Sequence, residues 1–209
     1  GCWLRAHLKQ NNIETEGIFI DTQRPTTTKA RFATMEQSIL RVDYEDSQTI
    51  SNTLEVQISN YLEEYLLTHQ VDGILISDYN KGIFNSDEQN SPLKSMLRQI
   101  SKMPLLSAVD TKKNGTELSI FEAFDFIKPN ILELSKAVAI NEITFNTLPE
   151  ACSRYLALSK AKGVLVTLGR NGLYYFDSLT KIYIPSIEAT VYDVTGAGDT
   201  IFATMVPKK

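Results

Sequence analysis

The run Asp193-Val194-Thr195-Gly196-Ala197-Gly198-Asp199-Thr200, near the C-terminal end, gathers the residue types that phosphoryl transfer needs. Two glycines around an alanine let the backbone approach a ligand closely, with N–H groups turned towards it. A helix starting there sets its positive end towards an anion such as a migrating phosphoryl group. Asp199 then stands where a carboxylate can take a proton from an attacking hydroxyl. Because this chemistry rests mainly on positioning and charge stabilisation, Gly196, Ala197 and Gly198 are expected to form an anion hole beside Asp199 as base. On its own, Gly-Ala-Gly-Asp is also a plain strand-to-helix turn, and motif matches need their context. Walker-A spacing does not occur, which argues against the P-loop class.

Other polar groups fall where they can serve the same chemistry. In Lys128-Pro129-Asn130-Ile131-Leu132-Glu133, Asn130 and Glu133 have the spacing of a helix capping box. The same pair can face a triphosphate and organise Mg²⁺, with Glu133 acting through water, since Mg²⁺ keeps several waters and takes few protein carboxylates. Lys112, in Val109-Asp110-Thr111-Lys112, is either a flexible point charge for phosphates or a solvated lysine. The glycines of Thr167-Leu168-Gly169-Arg170-Asn171-Gly172 suit a ribose and phosphates beside a strand end, or simply a turn into a hairpin.

These residues must be positioned by a scaffold, and the hydrophobic pattern supplies one. A helix is expected at 3–8, strands at 27–34 and 39–44 around a turn at Met35-Glu36-Gln37-Ser38, and an amphipathic helix at 51–68. Leu54, Ile58, Tyr61, Leu62 and Tyr65 give that helix a core face. Short apolar strands at 73–77, 105–109, 124–128 and 164–167 alternate with helices from Pro92 to about 102, from Asn130 to about 140, and from a Thr147–Glu150 capping box to near 163. A hairpin of 173–176 and 181–184 follows. The alternation implies an α/β fold whose mostly parallel sheet is covered on both faces. Asp78, Asp110, Asn130 and Thr167 all fall at strand ends, the edge where open α/β sheets bind ligands. An enzyme cleft is the expectation.

The whole 209-residue chain suits a single domain, 43% hydrophobic and 22% charged, as in ordinary globular proteins. A net charge of −4 offers no footprint for nucleic acid, and neither a membrane span nor a signal peptide is visible. Cys2 and Cys152 lack a metal-ligand pattern and point to a reducing cytoplasm; His7 and His69 read as structural or solvated. The chain opens Gly1-Cys2-Trp3 without methionine and closes soon after its glycine signature. It therefore reads as a domain incomplete at both ends, inactive or very weak by itself.

The octapeptide, with Asn130-x-x-Glu133 upstream, resembles the paired signature of the ribokinase-like (phosphofructokinase-B type) carbohydrate kinases. Pro25-Thr26-Thr27-Thr28-Lys29-Ala30-Arg31, Gln37, Leu40-Arg41-Val42-Asp43 and Ser77-Asp78-Tyr79-Asn80-Lys81-Gly82 resemble the subfamily of D-glycero-β-D-manno-heptose-7-phosphate kinases. In bacteria such a kinase is often half of a bifunctional heptose kinase/adenylyltransferase. Thr111 and Lys113 stand where the family's Asp-Pro-Lys-Gly segment has proline and glycine. The resemblance implies a three-layer α/β/α sandwich with a small β lid from residues 17–44; the polar-faced edge ribbon of that lid is expected to find a partner sheet and so to form a homodimer. ATP and Mg²⁺ would be bound by Asn130, Glu133, Lys112, Thr167, Gly169, Gly172, Asp193 and Thr195, and the sugar phosphate by Lys29, Arg31, Arg41, Asp43, Asp78 and Lys81. It further implies phosphorylation of the anomeric hydroxyl of heptose 7-phosphate, an early step towards lipopolysaccharide-core or S-layer glycan precursors. Another ribokinase-like sugar or sugar-phosphate kinase, or an inactive nucleotide-binding remnant, stays open as an alternative.

Overall fold

Helix α1 (Cys2–Gln10) opens the chain, followed by strands β1 (Thr28–Ala33) and β2 (Ser38–Tyr44) and helix α2 (Asn52–Thr68). The computed structural model describes residues 2–34, 38–85, 91–187 and 196–205; Gln37, Asp193 and Thr195 lie outside them, as does most of the turn expected at 35–38. Two compact units divide the chain: Gly1–Thr68 with Lys81–Leu93, and His69–Asn80 with Lys94–Lys209. No helix among the described residues is long and apolar enough to cross a membrane.

In the first unit β1 and β2 pair antiparallel, with Lys29 opposite Asp43, Ala30 opposite Val42, Arg31 opposite Arg41 and Phe32 opposite Leu40. Side chains alternate across a strand, so the register gathers Lys29, Arg31, Arg41 and Asp43 on one face. Ala30, Phe32, Leu40, Val42 and Tyr44 share the other face, where Phe32, Leu40 and Tyr44 are all more than half exposed. Helix α2 corrects an expectation. Its stripe of Leu54, Ile58, Tyr61, Leu62 and Tyr65 is half-buried, while Glu55 and Ser59 are its buried residues. Tyr61 has only a light cover, packing edge-on against Phe19 with ring centroids 5.7 Å apart.

The second unit is built on a six-stranded sheet of β3 (Gly73–Asp78), β4 (Leu106–Thr111), β5 (Phe126–Ile127), β6 (Gly163–Thr167), β7 (Leu173–Asp177) and β8 (Lys181–Ile184), in that spatial order. The first four run parallel and the last two form the antiparallel hairpin. Val109, Ile127, Val164 and Val166 are wholly buried, as central parallel strands require. Asp125 pins three strands: it accepts from the Ser107 amide at 2.8 Å and hydroxyl at 3.0 Å, and from Lys162 at 2.7 Å. Burial opposes its charge, yet Lys162 and Ser107 together hold the carboxyl below its ordinary value.

Helices α3 (Pro92–Ile100), α4 (Ile131–Val138) and α5 (Leu148–Ser159) connect these strands, and α4 and α5 pack on each other and on β6. Phe121 and Phe124, 5.8 Å apart in a T-shaped pair, fill the core with Leu118, Leu134, Leu148 and Tyr155. Cys152 is buried there, its thiol pushed up to about 12 by desolvation, and is therefore unreactive.

Two helix boundaries depart from expectation. The Thr147–Glu150 capping box does not form, because Thr147 has helical dihedrals and its hydroxyl serves Thr144 instead. Glu150 pairs with Arg154 one turn on. The helix then ends at Ser159, earlier than 163, where Lys160 adopts the left-handed conformation at φ 54°. Likewise α4 stops at Val138, two residues before 140, with Ala139 left-handed at φ 55°.

Candidate active site

The parallel register sets the site. Ser77 lies opposite Asp110 and Asp78 opposite Thr111, so two acids leave the sheet at one edge. Asn130 bridges Thr167 in parallel fashion and brings a third strand end to the same edge. A cleft of about 450 Å³ opens there, lined by Asp78, Tyr79, Asp110, Lys112, Lys128, Asn130, Glu133, Thr167, Gly169, Gly196, Gly198 and Asp199, among others. All belong to the second unit. That volume lies in the usual range for small-molecule sites.

Helix α6 (Ala197–Ala203) begins at the cleft with Gly196 in the left-handed region, φ 79° and ψ −2°. Nothing lies within 4 Å of a Cβ built on Gly196, so the backbone conformation, not crowding, calls for glycine there. Thr200 closes the turn, its amide donating to the Gly196 carbonyl at 2.9 Å and its hydroxyl at 3.0 Å. The amides of Ala197, Gly198 and Asp199 open the helix and so have no carbonyl within it to bond. Asp199 is exposed, and the Tyr79 hydroxyl stands 3.4 Å from its Oδ1.

Asn130 and Glu133 do form the capping box: the Asn130 side chain accepts from the Glu133 amide at 2.8 Å, and Glu133 Oε2 accepts from the Asn130 amide at 2.8 Å. The other carboxylate oxygen of Glu133 takes the Lys112 ammonium. Burial of Lys112 disfavours its charge, but Glu133, Asp110 and Tyr79 more than offset this and hold it above its ordinary value. The capping pair therefore also lines the cleft. Asp78 is buried and internally bonded, accepting from the Thr111 hydroxyl at 2.7 Å and the Asn80 amide at 2.8 Å.

The structure thus brings together Asp78, Lys112, Asn130, Glu133, Thr167, Gly169, Gly196, Gly198 and Asp199. Gly172 and Ala197 are not in the lining; Gly172 shapes the loop, its carbonyl accepting from the Leu168 amide at 2.8 Å. Lys29, Arg31, Arg41, Asp43 and Lys81 belong to the first unit. There Arg41 grips Asp43 through two hydrogen bonds, 2.7 and 2.5 Å long, which hold that carboxyl below its ordinary value. Lys81 pairs with Glu45, and Lys29 and Arg31 are exposed.

Asp110 was expected at this edge but without a role of its own, and the lining residues Tyr79 and Lys128 carried no ligand-facing expectation from the sequence. Lys128 Nζ lies 2.6 Å from Asp110 Oδ2, and both side chains are about nine-tenths buried or more. Burial raises the Asp110 carboxyl above its ordinary value although Lys128 works against it. Its Oδ1 has no hydrogen-bond partner among the described residues. A legible clue existed: a lysine directly after a buried strand rarely stays buried without a partner.

An unpartnered, buried carboxylate oxygen beside Glu133 is a hard donor set that fits Mg²⁺ carried on phosphates and held through water. Among the described residues no cluster of three or more acids, histidines or cysteines forms a cage for a metal.

The chain belongs to the pfkB family of carbohydrate kinases, whose profile matches residues 1–206. It is 33% identical over 205 residues to the bifunctional protein HldE of Helicobacter hepaticus, covering 98% of this chain and 41% of that protein. Against the HldE protein of Helicobacter pylori the identity is 32% over 198 residues, with 95% and 41% covered. The chain thus spans about two-fifths of the length of these curated relatives. Among solved structures, Escherichia coli phosphofructokinase-2 in complex with potassium superposes with a TM-score of 0.74 at 20% identity, covering 98% of this chain and 63% of that one. Ribokinase from Thermotoga maritima gives 0.64 at 20% identity, over 95% and 60%. These likenesses show the fold: a ribokinase-like α/β sandwich with a mostly parallel central sheet, as the sequence led us to expect.

Proposed function

We propose that the protein is an ATP-dependent kinase that phosphorylates the anomeric hydroxyl of D-glycero-D-manno-heptose 7-phosphate, yielding the 1,7-bisphosphate. The observation that carries this reading is the convergence of Asp199, the glycine turn and the Asn130–Glu133 box on one cleft. The heptose-kinase resemblance and the HldE relatives support the choice of sugar.

In this reading Asp199 takes the proton of the anomeric O–H, and the freed oxygen attacks the γ-phosphorus of ATP. The bond from that phosphorus to the β,γ-bridging oxygen breaks, and ADP leaves with its electron pair. Gly196, Ala197 and Gly198 hold the charge on the transferred group through backbone amides. Asn130, Lys112, Thr167, Gly169 and Gly172 position the nucleotide, with Asp193 and Thr195 of the same signature. Glu133 would hold Mg²⁺ through water, and the cation would offset phosphate charge when bound. Asp43, Asp78 and Lys81 bind the sugar, while Lys29, Arg31 and Arg41 are the cations for its own phosphate, as a doubly charged acceptor requires.

The acceptor is tested by coupled ADP release from the whole protein. Heptose 7-phosphate is expected to give the highest kcat/KM, ahead of fructose 6-phosphate and unphosphorylated sugars. A preference for fructose 6-phosphate would transfer the chain to another branch of the same family. The buried thiol of Cys152 and the use of ATP support a cytoplasmic setting.

The β1–β2 ribbon is also assigned to homodimerisation. A two-stranded ribbon is marginal alone, and its exposed Phe32, Leu40 and Tyr44 offer an apolar face for a second copy. Light scattering should give twice the monomer mass at micromolar concentration, and Leu40→Lys should halve it. A wild-type monomer throughout that range would count against the pairing.

A further inference from the structure

Asp199 is exposed on the first turn of α6, where a carboxylate is free to turn about its own side-chain bonds. Among the described residues its one recorded partner is the Tyr79 hydroxyl, which donates to Oδ1 across 3.4 Å. That is longer than an ordinary O–H···O bond, as contacts at catalytic groups often are until a substrate draws them in. Tyr79 itself is half-exposed on the cleft wall.

The residues on either side of Tyr79 are held more firmly. Asp78 is buried at the end of β3 and accepts from the Thr111 hydroxyl and the Asn80 amide, at 2.7 and 2.8 Å. Its carbonyl takes the Lys112 amide at 3.0 Å. Asn80 turns left-handed at φ 54°, and its side-chain oxygen accepts from the buried Lys113 ammonium at 3.2 Å. Lys113 is tied back in turn, its amide donating to Thr111 Oγ1 at 3.0 Å. A proline at 111 would bring no hydroxyl and a glycine at 113 no ammonium, so these ties depend on the two positions where this chain leaves the family's pattern. The end of β4 thus fixes the turn that carries Tyr79.

We propose that Tyr79 is a positioning residue for Asp199: its hydroxyl holds Oδ1 and leaves Oδ2 to take the acceptor proton. The inference rests on the phosphoryl-transfer reading above and deepens it. The phenol keeps its own hydrogen throughout, while Asp199 gains that of the attacking hydroxyl. A carboxylate already restrained has less rotational freedom to lose when the acceptor arrives.

The test follows label from γ-labelled ATP into whichever of heptose 7-phosphate and fructose 6-phosphate the whole protein prefers. Wild type, Tyr79→Phe, Asp199→Asn and the double variant are compared. Phenylalanine keeps the ring and removes only the hydroxyl. Tyr79→Phe should lower kcat about tenfold, with KM for ATP and for the acceptor held within about twofold and the melting temperature unchanged. In the Asp199→Asn background the same substitution should cost nothing further, because no base remains to be aimed. A merely structural role would lower both backgrounds alike.

Full kcat in Tyr79→Phe, equal losses in the two backgrounds, or a raised KM at unchanged kcat would overturn the assignment and leave the kinase reading intact. If wild type labels neither sugar, or Asp199→Asn keeps the wild-type rate, the reading above falls first, and this assignment with it.

Discussion

Asp199→Asn is expected to lower kcat by about a hundred- to ten-thousand-fold, the range associated with loss of a proton-transfer group. Asparagine keeps the size of the side chain and can still receive the Tyr79 hydroxyl, which stands 3.4 Å from Oδ1. What disappears is the ability to accept the proton of an attacking hydroxyl. Because Asp199 is exposed and holds no buried partner among the described residues, the melting temperature should stay within a degree or two. KM for ATP and for the acceptor should move only a few-fold, since neither ligand depends on this carboxylate for most of its contacts. A rate unchanged by the substitution would remove Asp199 from the mechanism.

Gly172→Ala is expected to be the more damaging of the two glycine substitutions in the 167–172 loop, costing about 3 kcal/mol or more. Gly172 sits at φ 91° and ψ −137°, a region that side chains rarely enter. An added Cβ would also fall 2.1 Å from the Ile184 carbonyl oxygen, 2.7 Å from the Ser186 nitrogen and 2.8 Å from the Pro185 carbonyl carbon. All three are backbone atoms, so no rotamer change relieves the clash. For a chain of this size the loss corresponds to roughly 6–12 °C in melting temperature. Gly169→Ala is the internal control: its φ is 60° and its Cβ position is empty to 4 Å, so about 1 kcal/mol is expected. Equal losses at the two glycines would contradict the close backbone crossing at Gly172.

The strands were legible where burial on both faces demands unbroken apolar runs, as at Ile74-Leu75-Ile76 and Val164-Leu165-Val166. Asn130 and Glu133 were legible as a cap because the motif is local, and both of its hydrogen bonds form. The start of α5 was not. Thr144 and Thr147 exchange hydrogen bonds one turn earlier, and a three-residue spacing cannot say which threonine will lead. Helix α2 misled for a different reason: periodicity marks an apolar face but not how completely it is covered. The partnership of Lys128 with Asp110 escaped because it depends on β4 lying beside β5, a neighbourhood set by topology and absent from either local segment. Tyr79 and Asp199, 120 residues apart, meet for the same reason.

In the proposed reaction the cleft transfers the γ-phosphoryl group of ATP to the anomeric oxygen of a sugar phosphate. Phosphorus-31 NMR of the whole protein's reaction with ATP, Mg²⁺ and heptose 7-phosphate tests it most directly. A new anomeric phosphate resonance, coupled to the sugar's H1 and growing in step with ADP, is the predicted result. ATP consumption that yields only inorganic phosphate, or a new phosphate on any other sugar oxygen, would rule out anomeric phosphoryl transfer by this cleft.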